Sequence, residues 1–207
     1  MRAFFTAHIA YVFVLAAGLI ASTSAFSEAG PTSLSVDSIA DSPWMVAARR
    51  YRIDPLDLYA IALQESRRRR ADGRMRPWPW TLNSPRTGAL YFDSYEAALK
   101  QLNELISQGE RNIDVGLMGI NWYFNGHRAR DPASLLNVSE NIFIAAQIYR
   151  EHLDRFDGDR RKAIAHYHSA TAKLGGPYAA AVLTIADRLR ALNGVHLALG
   201  RLASQNP

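Results

Sequence analysis

Apolar residues recur at helical spacing along most of the chain. In "PLDLYAIALQES" they stand at i, i+3, i+4 and i+7, which is the pattern of an amphipathic core helix. The positions on this stripe are Leu56, Tyr59, Ala60 and Leu63. The segments "YEAALKQLNELISQG" and "SENIFIAAQIYREHLDRF" repeat the pattern. The hydrophobic periodicity therefore predicts a mainly helical protein.

Helix-start signals precede several of these segments. Ser42 followed by Pro43, and Asp54 followed by Pro55, each place a capping side chain before a proline at the first helical position. Ser94 is predicted to cap a further helix. These signals place helix starts at residues 43, 55 and 95.

The pattern changes between residues 67 and 93, where two aromatic-rich runs flank the turn "SPRTG". This arrangement predicts a β-hairpin with strands at about Trp78–Asn83 and Ala89–Phe92. Helical periodicity then returns, and Pro177 is predicted to open a last helix that ends near Asn193. The fold class expected is α+β, predominantly helical, in one domain over residues 42–193, with a linker at 26–41 and a tail at 194–207.

The first 25 residues have the organisation of a secretory signal peptide. Arg2 precedes a charge-free run from Ile9 to Ala21, and the small residues Thr23 and Ala25 suit cleavage after Ala25. The alternative is an uncleaved anchor in the inner membrane, although the run is shorter than the roughly 20 residues of a spanning helix. We expect an exported, periplasmic protein.

The composition limits the kinds of site and partner that the protein can have. The chain has no cysteine, which excludes disulfides, a thiol nucleophile, a cysteine zinc site and a lipoprotein cysteine. Its formal net charge is +5, and removal of residues 1–25 takes away Arg2 and leaves +4. A basic exported domain fits an anionic polymer as partner. The run Arg67–Arg70 could also grip nucleic acid, but export favours a solvated face or a contact with wall carboxylates.

Glu65 is the leading candidate for a catalytic residue. It falls in the last turn of a core helix, where partial burial and the negative end of the helix dipole favour the neutral acid. Such a group can donate a proton near neutral pH. The alternative is an ion pair with Arg68 or Arg69, three and four residues on, which would favour the carboxylate. A general acid therefore requires the helix to end near Ser66.

Three motifs occur in the order "ALQES", "GLMGIN", "AHYHSA". In this order they resemble the soluble lytic transglycosylase family, goose-type-lysozyme-like enzymes that cut peptidoglycan. The resemblance covers about residues 44–180. "PWPWTLN" and "NIDVGLM" also resemble the branch associated with conjugation, type IV secretion and pilus systems.

The resemblance implies a lysozyme-like fold in which Glu65 is the sole catalytic acid and base. It implies cleavage between N-acetylmuramic acid and N-acetylglucosamine with formation of a 1,6-anhydro ring, without metal or cofactor. The implied substrate-binding residues are Ser66, Gly116, Leu117, Met118, Asn121 and Tyr167. Ser66 would steady the loop and Glu65, residues 116–118 would form the wall of the glycan cleft, and Tyr167 would orient Glu65 or the sugar. Gly116 would let the loop approach the catalytic helix.

The sequence departs from the family pattern at two positions. Gly119 stands where the family has glutamine, and His168 stands at the asparagine position. A binding-only peptidoglycan module therefore stays an alternative. If a glutamine at 119 contacted the glycan, Gly119→Gln would hold or raise the rate.

A lysozyme-type hydrolase, which calls for a second carboxylate, is a further alternative. Asp72 and Asp114 are the candidates for it. We expect Asp72 to belong to a turn and Asp114 to bond the loop backbone.

The partners implied are glycan strands and components of a secretion or pilus apparatus, and not nucleic acid.

Overall fold

The structure is a computed structural model that describes the backbone of residues 42–203 and the side chains of residues 42–192. The predicted signal peptide and linker lie outside the described residues. The helices are α1 Pro43–Tyr51, α2 Pro55–Ser66, α3 Tyr95–Ser107, α4 Trp122–Asn125, α5 Val138–Arg155, α6 Arg160–His168 and α7 Ala172–Ala203. The strands are β1 Arg67–Arg69, β2 Met75–Pro77, β3 Thr81–Ser84, β4 Gly88–Tyr91, β5 Asp114–Val115 and β6 Ile120–Asn121. Two 3-10 turns cover Gly126–Arg128 and Pro132–Leu136. The predicted α+β, predominantly helical class is confirmed.

The predicted helix starts are confirmed by their caps. The side chain of Ser42 accepts a hydrogen bond from Met45 N at 3.4 Å, and that of Asp54 accepts one from Leu56 N at 2.8 Å. The Ser94 hydroxyl accepts one from the backbone of α3 in the same way. These side chains satisfy amide groups that a first helical turn leaves without a partner.

The predicted bounds of the last helix, Pro177 to Asn193, are wrong at both ends. The helix begins one turn earlier because the carbonyl of Thr171 accepts from Leu174 N and Gly175 N, both at 2.9 Å, so that Pro177 lies inside α7. Residues 194–203 continue the helix. They contain no proline, and isolated glycines weaken a helix without ending it.

Strands β3 and β4 form the predicted hairpin, with Leu82 opposite Leu90. The sheet is larger than predicted, because β5 and β6 add to it in the order β4-β3-β5-β6. A second hairpin, β1 with β2, forms within the arginine run and was not predicted. Its strands lack the apolar alternation that identifies strands in a sequence.

Buried side chains from α1, α2, α3, α5, α6 and α7 form one core, which the sheet closes on one side. The helix α2 carries Leu58 and Ile61 in its interior, and α5 adds the fully buried Tyr149. None of the helices among the described residues combines the length and apolarity needed to cross a membrane. The buried α2 brings its last turn, with Glu65, beside the sheet.

Candidate active site

The end of α2 keeps the arginine run away from Glu65. The helix stops at Ser66, and Arg67 has φ −55° and ψ 130°, so the chain continues as a strand. Arg67 bonds Gln64, and Arg68 pairs with Asp93 at 2.8 Å. The helix thus ends at Ser66, as a general acid at position 65 requires. No ion pair to Glu65 occurs among the described residues.

The Glu65 carboxyl group is held by a tyrosine of α7. The Tyr178 hydroxyl donates to Oε1 of Glu65. Burial raises the pKa of Glu65, the Tyr178 hydrogen bond offsets part of this rise, and the charge of Asp114 adds to it, giving a pKa of about 7. Because Oε1 already accepts from Tyr178, the acidic proton belongs on Oε2. With this pKa, the Glu65 carboxyl group is partly protonated near neutral pH and can donate a proton there.

Two cavities of about 180 and 230 Å³ lie against Glu65 and form a cleft. They share Glu65, Asn83, Asp114 and Gly119 as lining residues. The first is completed by Thr81, Leu82, Ala89, Tyr91 and Gly116, and the second by Ile120, Asn121, Asn125, Ile148, Tyr167 and His168. The sheet therefore forms one side of the cleft and α6 borders the other.

The glycine that approaches Glu65 at the end of α2 is Gly119, and the expectation that Gly116 does so is wrong. Gly119 has φ +59°, and a Cβ atom there would lie 2.7 Å from Oε2 of Glu65. Gly116 has φ +79°, and a Cβ atom there would meet Asn141 Nδ2 and Leu135 O, both at 2.5 Å. Gly119 keeps the space beside Oε2 open, whereas Gly116 lets the loop pack on α5.

The side chains of Leu117 and Met118 do not form the cleft wall. Both are buried in the core, Met118 with 0% of its surface exposed, as large apolar side chains usually are. Their carbonyl groups instead fix the loop, accepting from Ser66 Oγ at 2.8 Å and from the Tyr167 hydroxyl at 2.9 Å. Of the predicted wall residues, only Gly116 lines the cleft.

Ser66 is 1% exposed and cannot contact a substrate, so its assignment as a binding residue is wrong. It steadies the loop, as expected, through Leu117 O, and it accepts from Trp78 N at 3.1 Å. Tyr167 lies in the cleft with Glu65, but its hydroxyl bonds Met118 O. The tyrosine that orients the acid is Tyr178.

Asn121 and Asp114 are held in one row of side chains across the sheet. Asn121 Nδ2 donates to Asp114 Oδ1 at 2.8 Å, and Asn83 Nδ2 donates to Asp114 Oδ2 at 2.9 Å. Asp114 thus bonds asparagine side chains and not the loop backbone, which corrects the expectation. Asp72 accepts from Arg74 N at 2.9 Å and belongs to the predicted turn.

Tyr178 and His168 form a pair that sequence reasoning did not connect with Glu65. Their rings stack with centroids 4.4 Å apart and planes 5° from parallel. The signal for Tyr178 was its place on an apolar stripe with Ala179 and Val182, since a buried tyrosine hydroxyl needs a hydrogen-bond partner. Only the packing of α7 on α2 reveals that this partner is Glu65.

In comparisons with known proteins, the chain matches no family model, no curated protein and no solved structure. The features that bear on function are the chemistry of the cleft and the three sequence motifs. A protonated carboxyl group, an open space beside its proton and a row of amide groups can together bind a polar polymer and protonate an oxygen in it.

Proposed function

We propose that the protein is a peptidoglycan lytic transglycosylase. It cleaves the β-1,4 bond between N-acetylmuramic acid and N-acetylglucosamine and leaves 1,6-anhydromuramic ends. The observation that carries this proposal is the Glu65 carboxyl group, which has a pKa of about 7 and faces the cleft. The order of "ALQES", "GLMGIN" and "AHYHSA" supports the same reaction.

One carboxyl group can perform both proton transfers of this reaction. Glu65 gives its Oε2 proton to the glycosidic oxygen, the bond from that oxygen to C1 of the muramyl sugar breaks, and the N-acetylglucosamine part leaves as an alcohol. The resulting carboxylate takes the proton from the muramyl C6 hydroxyl, whose oxygen bonds C1. Glu65 ends protonated as it began, and no water is consumed. Tyr178 holds Oε1 through both steps.

The place where the protein acts follows from its predicted export to the periplasm. A periplasmic enzyme of this kind opens the wall locally, and the resemblance of "NIDVGLM" and "PWPWTLN" points to a conjugation, type IV secretion or pilus apparatus as its partner. Glycan strands are the substrate. Neither a metal nor a cofactor takes part in the reaction as proposed.

The test is mass spectrometry of products released from purified sacculi by the wild type and by Glu65→Gln. The wild type should release 1,6-anhydro muropeptides, and Glu65→Gln should lower the rate by roughly 10³-fold while keeping the fold, because glutamine cannot donate the proton. Glu104→Gln, at an exposed position of α3, is the matched control and should leave the rate unchanged. Activity should fall as the pH rises through about 7, where Glu65 loses its proton.

Other outcomes identify the alternatives. Binding to sacculi without release of muropeptides, unaffected by Glu65→Gln, would replace the enzyme with a binding module. The presence of Asp114 in the same cleft favours a second candidate, a lysozyme-type hydrolase, which would yield reducing ends in place of anhydro ends.

A further inference from the structure

The part of the cleft nearest Glu65 contains a second carboxyl group. Glu65 and Asp114 both line both cavities, so they stand where the two cavities meet. They reach this point from different elements, Glu65 from the end of α2 and Asp114 from β5. A chain bound through both cavities would pass both groups.

Asp114 is positioned by the register of the sheet. Asn83 on β3 and Asn121 on β6 are its direct cross-strand partners. The amide of each donates to a different oxygen of Asp114, at 2.9 and 2.8 Å. Asn121 is itself fixed, since its Nδ2 also contacts Asn112 Oδ1 at 2.7 Å and its Oδ1 accepts from Phe124 N at 3.2 Å.

These contacts occupy both oxygens of the Asp114 carboxyl group. A carboxylate accepts hydrogen bonds through both oxygens, and both donors here are neutral amides. None of the ion pairs between described residues includes Asp114, so its charge is not neutralised by an arginine or lysine. A half-buried aspartate with neutral donors and no cation leaves its negative charge acting on the cleft.

The surroundings of the two carboxyl groups therefore differ, and glycan cleavage can use such a difference, with one group as proton donor and the other as anion. Glu65 lies in a desolvated position against Tyr178 and keeps its proton, whereas Asp114 lies among amide donors. Two carboxyl groups in unlike environments divide the roles of acid and anion.

We propose that Asp114 is a second catalytic group, a fixed anion that stabilises the positive charge developing on the muramyl ring. The inference rests on the proposed function and deepens it. When the bond from C1 to the glycosidic oxygen breaks, C1 and the ring oxygen share a positive charge, and the Asp114 carboxylate lowers the energy of that state. Asp114 exchanges no proton and forms no bond in this step.

The charge of Asp114 also acts on Glu65, because it raises the pKa of that acid. Replacing the charge should lower the pKa and move the alkaline limb of the pH–rate profile to lower pH. Other titratable groups in the cleft or in contact with Glu65, within the described residues, are Tyr91, Tyr167, His168 and Tyr178. The variant leaves all four unchanged.

The experiment compares wild type, Asp114→Asn and Asp93→Asn on purified sacculi, with thermal unfolding to check the fold. Asp93, which is 88% exposed, is the matched control. We expect Asp114→Asn to lower kcat roughly a hundredfold with little change in KM, as for the loss of one preorganised electrostatic group. The alkaline limb of the pH–rate profile of Asp114→Asn should shift to lower pH, while Asp93→Asn should match the wild type in both kcat and profile.

Two further measurements keep the test decisive. Carbon-13 NMR titration of the Glu65 carboxyl group reports its pKa without turnover and should give a lower value in Asp114→Asn. Asn83→Ala, which keeps the charge but removes one donor, should lower kcat by a smaller factor.

The outcomes separate this inference from the proposed function. Wild-type kcat and an unshifted limb in Asp114→Asn, with Glu65→Gln inactive, would overturn the role of Asp114 alone. A wild-type protein that releases no muropeptides would overturn both.

Discussion

At position 119 a hydrogen atom in place of a side chain determines the geometry of the acid. Gly119 combines a left-handed backbone, φ +59°, with a position where Cβ would lie 2.7 Å from Oε2 of Glu65. Any other residue would have to push the carboxyl group from its place against Tyr178 or strain the turn. The expectation that Gly119→Gln holds or raises the rate therefore gives way to the opposite prediction.

Gly119→Ala should lower kcat at least tenfold and reduce the free energy of unfolding by about 1–2 kcal/mol, the usual cost of a left-handed non-glycine residue. Gly158→Ala is the matched control, because Gly158 has φ +82° and nothing within 4 Å of an added Cβ. It should show the stability loss without the loss of activity. Steady-state rates and urea unfolding measure both, and equal activity in the two variants would contradict the role given to Gly119.

At the scale of elements, Asn141 joins the loop between β5 and β6 to α5. Its Oδ1 accepts from Met118 N at 2.8 Å, and its Nδ2 donates to Val115 O and Leu135 O, both at 2.9 Å. The side chain is fully buried. Loss of its amide would leave backbone groups of the loop without partners in a dry interior.

Asn141→Ala should therefore lower the free energy of unfolding by about 2–4 kcal/mol, the range for losing several buried hydrogen bonds. Activity should fall as well, because the loop places Gly119 beside Glu65. Asn103→Ala changes the same residue type at an exposed position of α3 and should stay within about 0.5 kcal/mol of the wild type. Denaturant midpoints provide the comparison, and similar midpoints for the two variants would exclude this account of the loop.

At the scale of the whole molecule, a buried aspartate connects four helices. Asp57 on α2 is 1% exposed and accepts from Arg160 of α6 at 2.6 and 2.8 Å, from Arg190 of α7 at 2.6 Å, and from the Tyr149 hydroxyl of α5 at 3.0 Å. Burial raises the pKa of Asp57, but the hydrogen bonds from both arginines outweigh this and hold the pKa below its usual range. The network fixes α2, and with it Glu65, against α7.

Asp57→Asn should cost about 3 kcal/mol of unfolding free energy at pH 7, as expected when one member of a buried ionic network is removed. Since the folded-state pKa is depressed, this contribution is present above the unfolded pKa of about 3.9 and disappears as the pH falls through the folded value. Urea unfolding should show a constant gap to the wild type from pH 7 to 5 and a smaller one at pH 3. Asp93→Asn is the control for an exposed ion pair. If the difference in unfolding free energy between the wild type and Asp57→Asn stays the same at pH 3, the charge of Asp57 is not its source.

The elements that could be predicted are those whose signals are local. Ser42, Asp54 and Ser94 cap their helices through amides two or three residues away, so a short window contains both partners. The predicted bounds of α7 are wrong for a related reason, because Pro177 is a start signal only when no earlier turn forms. Strands β5 and β6 have two residues each, too few for an alternating pattern to show.

The predominantly helical class and the choice of Glu65 as the candidate acid follow from the sequence, since each depends on neighbouring residues. The end of α2 at Ser66, which the sequence left as a condition for that acid, is seen only in the structure. Tertiary structure alone decided which tyrosine holds Glu65, which glycine faces it, and that Asp114 shares its cleft. Tyr178 stands 113 residues from Glu65 along the chain, and Asn141 stands 23 residues from Met118. Contacts over such separations depend on how helices pack, and packing follows from the burial of the whole apolar surface rather than from any local pattern.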